Sequence, residues 1–136
     1  MTGRRWAGPI AFEAAPTEDG RILEPGSITW SMAWPLPLFT LPEPALLVGT
    51  IESVDRHGGQ LWGTGAYTGA ERYPDDRVAI GIDVDLLRSD ADAQTGMLVI
   101  REGRLKGAHV YAPGSEYRPA WPGAFIMIEE EPSEAG

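Results

Sequence analysis

Residues 46–68 read LLVGTIESVDRHGGQLWGTGAYT, and this stretch decides the fold. Two β-prone arms, Leu46–Asp55 and Gln60–Thr68, flank Arg56-His57-Gly58-Gly59. Gly-Gly between such arms is a strong hairpin signal, because tight hairpin turns need positive φ at their centre. In the first arm Val48, Thr50, Glu52 and Val54 alternate with Gly49, Ile51, Ser53 and Asp55. In the second, Leu61, Gly63, Gly65 and Tyr67 alternate with Trp62, Thr64 and Ala66. Two-residue alternation is the period of a strand with one buried face. Glycines inside the arms point to bulges, tight bends or close backbone approach.

The same reading extends in both directions. Gly8–Glu13 is a short apolar first strand, and Thr17–Gly20 is a turn with Asp-Gly chemistry. Arg21–Leu23 reads as a second strand, followed by a turn at Pro25-Gly26. Ser27–Trp34 is strand or extended entry, after which Pro35, Pro37, Pro42 and Pro44 forbid a helix interior. Gly69–Arg77 is a polar loop. Val78–Leu87 is a long strand with Ile80, Ile82, Val84 and Leu86 on one face and Asp83 and Asp85 on the other. Ser89–Gly96 is a polar turn, and Met97–Arg101 with Arg104–Ala112 reads as a second hairpin about Glu102-Gly103. Pro113–Pro122 is a loop, and Ala124–Glu129 is the last strand. No stretch carries a helical apolar period over ten or more residues.

Seven to nine short strands predict a mainly-β domain over residues 1–128, a small closed or partly open β-barrel with little helix. Residues 129–136, with Glu129, Glu130, Glu131 and Glu134, form an acidic C-terminal tail. The expected core is Ile10, Phe12, Val48, Ile51, Trp62, Ile80, Ile82, Val84, Leu98, Ile100, Val110, Phe125, Ile126 and Ile128.

Composition agrees. The chain has 17 glycines and 12 prolines among 136 residues, which excludes a helical bundle. Hydrophobic residues at 43% and five tryptophans exclude a disordered chain. Eleven basic against twenty acidic residues give a net charge of −9, which repels a phosphate backbone and argues against nucleic acid as a direct partner. The absence of cysteine removes disulfides, thiolate catalysis and Cys-ligated zinc. No apolar run approaches the about 18 residues of a membrane span. Arg4 and Arg5 are followed by no apolar run of signal-peptide type, so neither export nor a membrane is expected.

Groups able to exchange protons or attack are few. His57 lies in the Gly-Gly turn and reads as solvated, while His109 in LKGAHVYA reads as an ordinary strand histidine, a ligand or a base. They are not spaced as a metal pair, and no metal or cofactor is expected. Asp83 and Asp85 share a strand face. Asp90 and Asp92 fit a solvated turn better than a calcium loop, since the terminal Glu of that loop is missing. GTGAYTG is not a phosphate loop, and no serine lies in a nucleophile elbow. From the residues alone, this is a small β domain without visible catalytic apparatus.

Several segments, in order, carry a resemblance. They are Arg5-Trp6-Ala7-Gly8-Pro9-Ile10-Ala11-Phe12-Glu13, Pro16-Thr17-Glu18-Asp19-Gly20-Arg21 and Pro25-Gly26-Ser27-Ile28-Thr29-Trp30. Trp34-Pro35-Leu36-Pro37-Leu38, Val48-Gly49-Thr50-Ile51 and Leu61-Trp62-Gly63-Thr64-Gly65 continue the series. It ends in Arg104-Leu105-Lys106-Gly107-Ala108-His109-Val110 and Gly123-Ala124-Phe125-Ile126. Together they resemble the prohead (capsid maturation) proteases of tailed phages that infect actinobacteria. The resemblance implies an assemblin-like barrel flanked by helices, with a serine nucleophile and a histidine base that trim capsid and scaffold precursors.

The chain departs from that pattern where the chemistry lies. The family's histidine loop corresponds to Phe39–Ala45, which holds no histidine. Its serine strand corresponds to Val78–Leu87, where Ala79 or Asp83 stands at the serine position according to register. No serine occurs between positions 54 and 88. Loss of both groups leaves little catalysis. The expectation is a catalytically silent structural protein of a phage head: a minor capsid, decoration or cementing protein bound to the major capsid protein or to its own copies. It would be made in the host cytoplasm and carried in the virion. The alternatives are a working maturation serine protease with a displaced site and a transient assembly factor. The apolar stretch Trp34, Pro35, Leu36, Leu38, Phe39 and Leu41 is a candidate capsid-docking segment or an ordinary core-covering loop.

Overall fold

A computed structural model describes residues 4–30, 35–41, 46–69, 77–111, 121 and 123–130. These residues form nine strands: β1 (Arg4–Phe12), β2 (Arg21–Leu23), β3 (Ile28–Trp30), β4 (Leu36–Leu41), β5 (Leu47–His57), β6 (Gln60–Tyr67), β7 (Arg77–Ala91), β8 (Leu98–Tyr111) and β9 (Phe125–Glu130). No helix occurs among the described residues.

The Gly-Gly stretch forms the expected hairpin. β5 and β6 pair antiparallel down to His57 opposite Gln60. The connecting Gly58 and Gly59 have φ of 56° and 84°. Two positive φ values in a two-residue loop define a type I′ turn, whose twist matches that of its strands. A bulge between Ile51 and Ser53 leaves Glu52 as a surplus residue in β5. The alternation read from the sequence breaks there, so Ile51 and Val54, three apart, are both buried.

Seven strands close into a barrel in the order β8-β4-β5-β6-β1-β9-β7, and β7 pairs back onto β8. Closure leaves these seven without a free seam, the route by which β proteins remove exposed sheet edges. β8 is the hub. β7 runs antiparallel along one of its edges. Along the other edge β2, β3 and β4 follow one another, all parallel to it, at Leu98–Ile100, Gly103–Leu105 and Ala108–Tyr111.

Several sequence expectations are corrected. The first strand starts at Arg4 rather than Gly8. Residues 98–111 are one strand, not a hairpin about Glu102-Gly103. Gly103 pairs with Ile28 on one side and Leu86 on the other, so it lies inside a continuous strand. The second hairpin is β7–β8, with its turn at residues 92–97 and β7 running on to Ala91. The stretch around Pro37 is strand β4, not a covering loop. Pro37 sits in a strand whose neighbours are β5 and β8. Of the expected acidic tail, Glu129 and Glu130 belong to β9, and residues 131–136 lie outside the described residues.

The core contains most of the expected residues, but Trp62 is not among them. It is 38% exposed, because inward positions of β6 are Leu61, Gly63, Gly65 and Tyr67. Leu86 is also exposed, at 52%. The tryptophan that fills the barrel is Trp6, opposite Gly65. A Cβ on Gly65 would lie 1.8 Å from the Thr50 carbonyl oxygen and 2.8 Å from Trp6 Nε1. That indole nitrogen donates to the Thr50 oxygen at 2.9 Å. The glycines of β6 are thus the imprint of a bulky neighbour on β1.

Candidate functional site

The cluster with the most chemistry sits where β7 meets β8. Gly81 lies opposite His109, and Asp83 opposite Gly107. Ala108 and Val110 are fully buried, so His109 and Tyr111 project from the other face of β8. His109 Nδ1 is 2.9 Å from Asp83 Oδ1, and its Nε2 is 3.1 Å from the Tyr111 hydroxyl. The Asp83 carboxylate only accepts, so Nδ1–H donates to it. In the tautomer that carries its proton on Nδ1, Nε2 accepts from the Tyr111 hydroxyl. The two rings meet edge to face with centroids 5.3 Å apart.

A cavity of about 170 Å³ opens beside this cluster, with Arg21, Leu23, Gly81, His109, Tyr111 and Trp121 among its lining residues. Burial pushes the Tyr111 phenol above its ordinary pKa, and the charge of Asp83 pushes in the same direction. Arg21 is held by Asp19, with Nε–Oδ1 at 3.1 Å and Nη2–Oδ2 at 3.0 Å. The Asp19 carboxyl lies below its ordinary pKa, first because the Thr17 hydroxyl bonds to it and next because Arg21 does. Trp121 is anchored by its Nε1, which donates to the Ala15 carbonyl at 2.8 Å. The arrangement fixes the orientation of an imidazole beside a pocket that is apolar except for Arg21, His109 and Tyr111.

The two positions assigned from the resemblance fall on the same side of β7 as Gly81. Asp83 contacts His109 directly, whereas Ala79 is opposite Phe125 of β9. Among the described residues, neither ring nitrogen of His109 meets a serine. Ser53 bonds to Thr64 at 2.5 Å on β5–β6 instead. His57 is exposed at the end of β5. Asp90 is bound by Arg101 at 3.0 Å, and Asp92 accepts from the Gln94 N–H at 2.9 Å inside its own turn.

A second polar cluster is structural. The Glu13 side chain is fully buried and takes Arg56 Nε at 2.7 Å and Nη2 at 3.1 Å. Arg56 also donates to the Ile28 carbonyl at 2.5 Å and lies 5.1 Å from the Trp30 ring centroid. This fork ties the end of β1 to β3 and to the β5–β6 hairpin.

The candidate docking stretch is divided by β4. Leu38 is fully buried in the core. Pro35 is exposed, and Leu36 and Phe39 are half-buried. Leu41 is opposite Tyr111 at the end of β4, and Trp34 lies outside the described residues. Larger exposed apolar side chains occur elsewhere, at Leu46, Leu47 and Leu87. The sequence held one usable signal for the β7–β8 cluster: Asp83 and His109 were both visible as unusual polar residues on strands. Their pairing depends on strand register, which local sequence does not encode. No family model, curated protein or solved structure matches the chain.

Proposed function

We propose that the protein is a non-catalytic structural component of a phage head, related to prohead maturation proteases, that binds the major capsid protein or its own copies. The observation that carries the non-catalytic part is the occupancy of His109. Its two nitrogens are taken by a carboxylate and a phenol, and among the described residues no hydroxyl of the serine type bonds to either. The phage setting rests on the ordered resemblance of the segments from Arg5 to Ile126. The net charge of −9 favours the outer face of a shell, since packaged DNA would repel it within. Among the side chains described in the candidate stretch, Pro35, Leu36 and Phe39 have surface left to offer a capsid subunit.

The Asp83–His109 pair favours one second reading, a maturation protease with a displaced nucleophile. A transient assembly factor differs from a virion component only in its fate. Mass spectrometry of purified proheads and mature heads tests the first reading, which requires the protein in mature heads in stoichiometric amount. Presence in proheads alone makes it an assembly factor. Cleavage of co-expressed capsid or scaffold precursors, abolished by His109→Ala, makes it a protease.

A further inference from the structure

We infer that the cavity beside Tyr111 and Trp121 is a socket for one uncharged phenol ring, either a free monocyclic phenol or a tyrosine side chain offered by a partner. Where that partner is a capsid subunit, the inference rests on the reading above; as a ring-binding site it stands without it.

Size and walls fit a single ring. The cavity measures about 170 Å³. An apolar cavity of about 150 Å³ is enough to hold benzene. Leu23, Ile100 and Trp121 line it and are buried in the core. The Trp121 indole is fixed by its 2.8 Å bond to the Ala15 carbonyl. Leu86 lines the cavity too but is exposed, so it stands at the mouth. Walls that are already ordered cost a ligand little on entry.

The polar groups select the chemistry of the ring. Arg21 gives Nε and Nη2 to Asp19, and among the described residues its Nη1 bonds to nothing. Arg21 can only donate. With the imidazole proton on Nδ1, the Tyr111 hydroxyl gives its proton to Nε2 and its oxygen keeps a lone pair. Burial and then the charge of Asp83 raise the Tyr111 pKa, so the phenol stays protonated at neutral pH. The charge of Arg21 pulls the other way, which places both groups at one space. A ligand hydroxyl answers both, accepting from Arg21 and donating to the Tyr111 oxygen. An anion meets no uncommitted cation, because Arg21 faces Asp19 and His109 faces Asp83. A bare hydrocarbon displaces water from both polar groups and returns no hydrogen bond.

The test is titration of the native chain with p-cresol, the tyrosine side chain without its backbone, read by amide and indole NMR shifts. Saturable shifts should gather on Gly81, His109, Tyr111 and the Trp121 indole. Toluene and p-toluate should bind at least about 5-fold more weakly, the scale of one lost hydrogen bond. Tyr111→Phe should weaken p-cresol by a similar factor and leave toluene unchanged. N-acetyltyrosinamide separates the two sources. If it competes with p-cresol, the socket admits a protein tyrosine; if p-cresol binds and it does not, the site is confined to free phenols. Shifts that fail to saturate or that gather elsewhere overturn the inference. So does toluene binding as tightly as p-cresol to the native chain, a comparison that decides alone if Tyr111→Phe does not fold. None of these failures touches the virion reading, which stands or falls on the mass spectra of the heads.

Discussion

Two side chains carry more consequence than their neighbours. Glu13 is a fully buried carboxylate whose charge is met by the fork of a partly exposed Arg56. Removing one partner of such a pair leaves the other desolvated and unmatched, which costs more than the pair contributes. Glu13→Gln should therefore lower stability by about 2 kcal/mol in urea unfolding, less than a fully buried pair because Arg56 keeps some water. Tyr111 is the second. Its phenol is shifted upward by burial and by Asp83, so its neutral form is favoured in the folded chain. The stability that goes with the protonated phenol is present below the ordinary value of 10.0 and fades as pH rises past it. Alkaline difference spectra, referenced to Tyr111→Phe, should show this tyrosine ionising late. Asp83→Asn should bring the ionisation down towards 10.0 without reaching it, because burial remains. An unchanged titration in Asp83→Asn would contradict the contact geometry.

At the scale of elements, the β5–β6 hairpin was legible because everything that specifies it is local. Alternation sets the faces, and Gly58-Gly59 sets the turn. Both glycines have positive φ, but the type I′ turn accepts Asn at its first centre. Gly58→Asn should change stability by less than about 0.5 kcal/mol, whereas Gly59→Val should cost about 1–2 kcal/mol, the penalty of left-handed backbone for a branched residue. Denaturation midpoints of the two variants distinguish them. β8 was misread for a complementary reason. Glu102-Gly103 looks like a turn in isolation, yet Gly103 is paired on both sides by residues 75 and 17 positions away, Ile28 and Leu86. The site shares this property. Asp83 and His109 lie 26 residues apart and meet only through the β7–β8 register. The bulges that set that register, between Asp83 and Val84 and around Arg88, leave no local signature. Trp62 is expected inside and lies 38% exposed for the same reason, since which face of a strand turns inward is set by its pairing and not by the side chain itself.

For the whole molecule, barrel closure depends on β9, the strand hydrogen-bonded between β1 and β7. It contributes Ile126 and Ile128 to the core and pairs with Arg4–Ala7 and Arg77–Ala79. A chain ending before Phe125 should lose its cooperative unfolding transition and associate through the bared edges of β1 and β7. Calorimetry and size-exclusion chromatography would show both effects; a monomeric, cooperatively folded truncation would mean that closure is dispensable. The hub position of β8 has a kinetic side as well. Its parallel neighbour β4 joins Leu38 to Ala108, and β1 joins Arg4 to Glu130. The chain must close these long loops before the contacts repay the lost entropy, so only the two hairpins can assemble early. Folding on the millisecond-to-second scale follows, with nascent chains carrying unpaired strands for much of that time.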